Sequence, residues 1–225
     1  MKKLPIGIQS IQEIITEGYI YVDKTQFALD LINNGKHYFL SRPRRFGKSL
    51  FLSTLKEIFK GNKDLFAGCH IAESNYDWQP YPVLLLDFGG IANKTPEKLE
   101  RNLHLFISKV SKEQGIEQGI EANGDPLEFR LEVLVEALAK KEKVVVLIDE
   151  YDKPLIDHLH SPDVAEGNRE LLQSFFGALK SLDKHIKFTF ITGISRFSRV
   201  SLFPGANHLK DISMTTKYAA MMGYT

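Results

Sequence analysis

Two places in this sequence concentrate residues that can do chemistry: Gly47-Lys48-Ser49 and, about a hundred positions later, Asp149-Glu150. A glycine, a lysine and a hydroxyl at the opening of a helix make a phosphate site. Backbone N–H groups and the positive helix N-terminus wrap phosphate oxygens, an ammonium reaches the outer phosphates and a hydroxyl ligates Mg²⁺. The flanking Arg44, Arg45, Phe46 and Leu50 complete that loop, and the two arginines add positive charge toward phosphate or a partner. The acidic pair complements it. An aspartate at a strand end holds Mg²⁺ with Ser49, and the neighbouring glutamate orients and polarises an attacking water, which a phosphohydrolase needs.

The tripeptide alone is common, and its weight comes from context: a short apolar stretch, Tyr38 to Leu40, precedes it and an amphipathic helix opens with it. Against the pattern GxxxxGK[ST], the first glycine position is Arg42 and Pro43 follows. A side chain there disfavours the usual left-handed turn, so the loop is expected to enter at a different angle.

A third cluster follows the apolar run Phe188 to Thr192, in Gly193-Ile194-Ser195-Arg196. If that run is a strand beside the Asp149 strand, Thr192 or Ser195 can hydrogen-bond the attacking water or the terminal phosphate. The alternative is that they satisfy a strand-end turn. Arg196 or Arg199 can supply charge to the transition state, in cis or to a neighbouring subunit, or can simply be solvated. Asp87 ends an earlier run, Val83 to Asp87, at the same kind of edge, with structural and functional readings equally open. Asp152 and Lys153 can pair with each other on the turn after Glu150. His158 and His160 have no zinc-like companions and read as helix-surface residues. Gly193-Ile-Ser195-Arg-Phe197 lacks the second glycine of a nucleophile elbow, and no Asn-Lys-x-Asp segment reads a guanine base.

These residues need elements to position them. Ile8, Ile11, Ile14 and Ile15 predict a first helix ended by Gly18, Tyr19 to Val22 an extended piece, and Gln26 to Ile32 a second helix stopping near Gly35. Phe51, Leu52, Leu55, Ile58 and Phe59 form one face of a helix that ends at Gly61. Pro96 opens another after Thr95, striped by Leu99, Leu103, Phe106, Ile107 and Val110. Asp125 with Glu128 three residues on predicts a capping-box start, with Leu127, Leu131, Leu134 and Leu138 buried. Val144 to Ile148 is the most β-favouring run, and a helix striped by Leu171, Leu172, Phe175, Phe176, Leu179 and Leu182 precedes the last long strand. Strands alternating with helices predict an α/β fold: a mainly parallel sheet with helices on both faces and ligands beyond the carboxyl ends of the strands.

Composition narrows the field. Lys and Arg number 29 and Asp and Glu 28, so bulk charge does not favour nucleic acid or an anionic surface. Apolar residues at 43% and charged residues at 25% are ordinary for a folded domain. The single cysteine, Cys69, forms no internal disulfide, so a reducing, cytoplasmic setting is expected. No apolar run approaches the ~20 residues that span a bilayer, and no membrane association is expected.

With these residues placed, the chain resembles the AAA-ATPase-like family, P-loop proteins whose ATPase region is typically followed by a PD-(D/E)XK nuclease-like domain. The resemblance is carried by LPIGIQ at 4–9, YVDKT at 21–25, YFLSRPRRFGKSLFLSTL at 38–55, YPVLLLDF at 81–88, VVVLIDEYDKPL at 144–155 and TGISRFSRVSLFPGANHLKDIS at 192–213. Arg42 in place of the Walker A glycine is itself a family feature. The resemblance implies a P-loop NTPase (RecA/AAA-like) core with the Walker A strand beside the sensor strand and KDIS as a late strand. It also implies a segment at 1–36 packed on an ATPase core at 37–225, with lid and nuclease-like regions absent. By carry-over, Lys48 and Ser49 bind phosphate and Mg²⁺, Asp149 is the Walker B aspartate, Glu150 is the catalytic glutamate, and Asp23, Lys24 and Thr25 lie near the base.

The function expected is Mg²⁺-dependent ATP binding and hydrolysis. The alternative is a nucleotide-gated switch with negligible hydrolysis that regulates a nuclease-like effector or partner, or acts within a homo-oligomer. Nucleic acid would be engaged only indirectly.

Overall fold

The computed structural model of the chain describes residues 2–116, 124–196, 202 and 209–223. The apolar runs become β1 (His37–Ser41), β2 (Val83–Asp87), β3 (Val144–Asp149) and β4 (Ile186–Gly193), with a two-residue β5 (Lys210–Asp211). They form one sheet in the order β2-β3-β4-β1-β5. Each neighbouring pair runs parallel. The helices are α1 (Ile11–Thr16), α2 (Thr25–Asn34), α3 (Lys48–Phe59), α4 (Pro96–Glu113), α5 (Leu127–Ala139), α6 (Lys153–Ile156) and α7 (Pro162–Ser181).

β3 is an interior strand, between β2 and β4. All six of its residues are buried, as a strand covered on both faces requires, and its side chains alternate between two apolar cores. Val144, Val146 and Ile148 pack with α4, α5 and α7, through Leu103, Leu131 and Phe175 among others. Val145 and Leu147 pack on the other face with α1, α2 and α3, through Ile11, Leu31, Leu55 and Phe59. Each fully buried Leu or Phe contributes about 2 kcal/mol of apolar burial, so the sheet is clamped from both sides.

The strand order puts β4 between β1 and β3, so the phosphate-type loop after β1, the acids after β3 and the polar end of β4 share one edge. The late strand read in KDIS is β5, pairing with β1 at Tyr38 and Phe39.

Several local expectations are corrected. The first helix starts at Ile11 under a Ser10 cap whose hydroxyl accepts from the Glu13 N–H, leaving Ile8 outside. The start of α5 is not a capping box: Pro126 is the cap and makes no side-chain bond. Glu128 instead accepts from the Ser174 hydroxyl on α7. His158 and His160 lie in a turn after α6, not on a helix, and the His158 Nε2 pairs with Asn93 Oδ1 at 3.2 Å. Two 3-10 turns, Lys63–Phe66 and His70–Glu73, fill the span between α3 and β2.

Candidate functional site

The loop between β1 and α3 uses two left-handed residues to turn: Arg45 at φ 65° and Gly47 at φ 83°. Position 42 is not one of them, so a side chain is accepted there, and the turn that the pattern assigns to its first glycine is made three residues later. Gly47 is also the N-cap of α3 and offers no side chain to the first-turn N–H groups, which leaves these donors for an anion. Arg44, Arg45 and Phe46 are exposed at the loop tip, while Lys48 is buried at 6% exposure and Ser49 and Leu50 are half-buried.

Lys48 turns its ammonium back into its own loop, donating to the carbonyls of Arg42 and Pro43 at 3.0 Å each. Burial lowers its pKa, and the charges of Asp149, Glu150 and Asp152 oppose that shift. The lysine therefore lies within electrostatic reach of all three acids.

Asp149 is the hub. Its Oδ2 accepts from Ser49 Oγ at 2.5 Å, its Oδ1 accepts from the Thr192 hydroxyl and from the Glu150 N–H at 3.0 Å. The loop, the β3 end and the β4 end are thus joined through one carboxylate. A hydroxyl and a carboxylate converging in this way are the oxygen donors that a hard divalent cation such as Mg²⁺ takes, with waters and phosphate filling the rest. Among the described residues no cluster of three or more His, Cys, Asp or Glu side chains forms a protein-only metal cage.

Glu150 sits at φ 49°, a strained position for a glutamate. Its carboxylate lies over Gly89, where an added Cβ would come within 2.8 Å of both Glu150 Oε2 and Asp87 Oδ1. Asp87 pairs in register with Asp149 and caps the next turn by accepting from the Gly89 N–H at 2.7 Å. Burial raises the pKa of Glu150, with the charges of Asp149 and Asp87 adding to the rise. Burial raises that of Asp87 too. Three carboxylates thus crowd one strand edge.

The next two residues form a clamp that sequence reasoning missed. The Tyr151 N–H donates to the Thr192 carbonyl at 3.1 Å and its hydroxyl to the Ser195 carbonyl at 2.8 Å. Its ring meets Phe39 of β1 edge-on at 5.3 Å. Asp152 does not pair with Lys153. Its Oδ2 accepts the N–H groups of Ile194 at 3.0 Å and Ser195 at 2.5 Å, and Lys153 binds Asp157 instead, at 3.0 Å. The available signal was the short polar run after an apolar strand, which does not reveal its partners.

Thr192 and Ser195 are therefore brought to the acids, whereas Arg196 is not: it pairs with Asp211 of β5 at 2.9 Å. Arg199 lies outside the described residues. A small surface cleft beside Glu150 is lined by Arg44, Glu150, Asp152, Lys153, Ile156, Asp157 and Ile194. Asp23 accepts the His70 N–H at 2.7 Å and Thr25 the Ile71 N–H at 3.1 Å.

A parallel sheet in this order, with a glycine-capped helix after one strand and a carboxylate ending another, is a P-loop NTPase-like fold. The chain belongs to the AAA-ATPase-like family, described as "Predicted AAA-ATPase", which it matches over residues 5–203. It is also 45% identical, over 227 aligned residues covering all of the chain, to a protein of Azotobacter chroococcum mcd 1 described as "Uncharacterized protein in vnfD 5'region". The chain spans 43% of that relative's length. Family membership implies nucleotide binding. No helix among the described residues is long and apolar enough to cross a membrane.

Proposed function

We propose that the protein binds ATP with Mg²⁺ and hydrolyses its terminal phosphoanhydride bond. The observation that carries this reading is the joining of Ser49 to Asp149 across the sheet edge, beside the buried Lys48. The Lys48 ammonium leaves its loop carbonyls to bind outer phosphate oxygens, assisted by the uncapped N–H groups of α3. Ser49 and Asp149 would hold Mg²⁺, which supplies charge neutralisation on the phosphates. Glu150 accepts a proton from water directed at the terminal phosphorus, and its raised pKa suits a general base. Thr192 holds the Asp149 carboxylate in place through its hydroxyl, and the Tyr151-Asp152 clamp fixes the strand end that carries Thr192 and Ser195.

The test pairs binding with turnover. Lys48→Ala is expected to abolish nucleotide binding, and Glu150→Gln to keep binding and lose turnover. A wild-type protein that binds ATP but releases no phosphate, unchanged by Glu150→Gln, would favour a nucleotide-gated switch. Failure of the wild type to bind any nucleoside triphosphate would end both readings.

A further inference from the structure

The phosphate loop is gripped from outside at two points by one stretch of chain. At its entry, the Arg42 guanidinium donates to the carbonyl of Ser41 at 3.1 Å and to that of Ser213. Ser213, itself buried, accepts the Ser41 N–H on its hydroxyl at 2.9 Å. Its own N–H is fixed by Asp211 at 2.8 Å. At the loop tip, the Gly223 N–H donates to the Phe46 carbonyl at 3.1 Å, and a side chain at position 223 would run into the Phe46 ring at 3.1 Å.

Between these grips the stretch is pinned to α2 and the segment before it. Lys217 Nζ meets Asp30 at 2.6 Å, the Tyr218 hydroxyl meets the same carboxylate at 2.7 Å, and Lys24 Nζ donates to the Ala220 carbonyl at 2.8 Å. Ile212, Tyr218, Met221 and Met222 are sunk into the core beneath α2 and α3, while Met214 stands in solvent.

The loop so held is the one in which Lys48 is spent on its own carbonyls. An arriving phosphate must draw that ammonium away from the carbonyls of Arg42 and Pro43, and the Ser213 grip holds Ser41 and Arg42 at the entry to that turn.

We propose that residues 211–223 form a strap that stabilises the self-satisfied arrangement of the phosphate loop, so that loop occupancy and strap attachment oppose each other. The nucleotide part of this inference rests on the function proposed above; the mechanical part does not. Contacts made in one state and broken in the other shift the equilibrium by their own free energy, and the coupling is reciprocal. Releasing the strap frees the loop, and filling the loop loosens the strap.

The experiment uses Lys217→Ala/Tyr218→Phe, which cuts both links to Asp30 without touching the phosphate loop. Lys217→Ala alone serves if the double variant unfolds, as judged by circular dichroism. Without nucleotide, amide exchange across residues 42–50 is expected to be faster in the variant than in the wild type; equal protection there would overturn the strap. With Mg²⁺ and ATP, the variant is expected to bind about fivefold more tightly or better, and exchange across 214–223 to speed up when ATP is added to the wild type. Unchanged or weaker affinity in a folded variant, or exchange across 214–223 that stays the same or slows with ATP bound, would overturn it. If neither protein binds ATP while the loop still loosens in the variant, the proposed function fails and the strap stands.

Discussion

Ser49 and Asp149 lie a hundred residues apart in the chain, yet the serine hydroxyl donates to the aspartate carboxylate at 2.5 Å. The contact exists because β4 separates β1 from β3 by one strand, and both strands end at the same edge. Asp149 is then shared by Ser49, Thr192 and the Glu150 N–H.

The shared carboxylate should govern metal dependence. Ser49→Ala is expected to lower nucleotide affinity in Mg²⁺ by about tenfold or more and to make it insensitive to EDTA, whereas wild-type affinity falls on chelation. Titration calorimetry in both buffers reads this. Thr192→Val removes another donor to Asp149, and a stability loss of about 1 kcal/mol in urea unfolding should accompany the weaker metal response.

The crowded acids should oppose folding at neutral pH. Burial lifts the folded pKa values of Glu150, Asp87 and Asp152 above their ordinary values. Groups shifted upward stabilise the fold when protonated, and that stabilisation is lost as pH rises through the folded values. Glu150→Gln removes one ionisable member. Its melting temperature should exceed that of the wild type at pH 7 to 8, and the gap should close as pH falls to about 4. A gap that is constant with pH, or of opposite sign, would contradict the assigned cause.

Gly89 matters through what lies over it. An added methyl group meets Asp87 Oδ1 and Glu150 Oε2 at 2.8 Å, and the glutamate, a flexible chain end, is the one able to move. Gly89→Ala should therefore lower kcat by at least about tenfold while leaving ATP affinity within about twofold, a split expected when a positioned general base is displaced. Rate and binding measurements on the same preparation check it.

Removing the Asp152 carboxylate strands two half-buried N–H donors, those of Ile194 and Ser195. Each costs about 1–3 kcal/mol when left unpaired, so Asp152→Ala should lower unfolding free energy by about 2 kcal/mol or more. Tyr151→Phe, losing one hydrogen bond to Ser195, should cost about 1 kcal/mol.

The residues that reveal most to a reader of the sequence are those whose role is local. Val144 to Ile148 reads as a strand because it is a run of β-favouring residues, and the Phe51 to Phe59 stripe reads as a helix with one buried face because its spacing is helical. One adjacency, the Walker A strand beside the sensor strand, was legible through the family resemblance, and the structure has β1 beside β4. Partnerships across the fold were not legible. Nothing in the run Asp149-Glu150-Tyr151-Asp152-Lys153 distinguishes the carboxylate that takes Ser49 from the one that takes two backbone N–H groups. Arg196 resembles a phosphate-facing arginine until β5 brings Asp211 beside it. Asp125 failed as a cap because Pro126 makes the cap and Glu128 finds a serine on another helix.

The most direct measurement is a crystal structure of the protein with Mg²⁺ and a non-hydrolysable ATP analogue. The terminal phosphate is expected within hydrogen-bond distance of the Lys48 ammonium, now released from the Arg42 and Pro43 carbonyls, with the metal ligated by Ser49 and by Asp149 directly or through water. A nucleotide bound away from that edge, or Lys48 still turned onto its loop carbonyls with the analogue present, would contradict the proposed site.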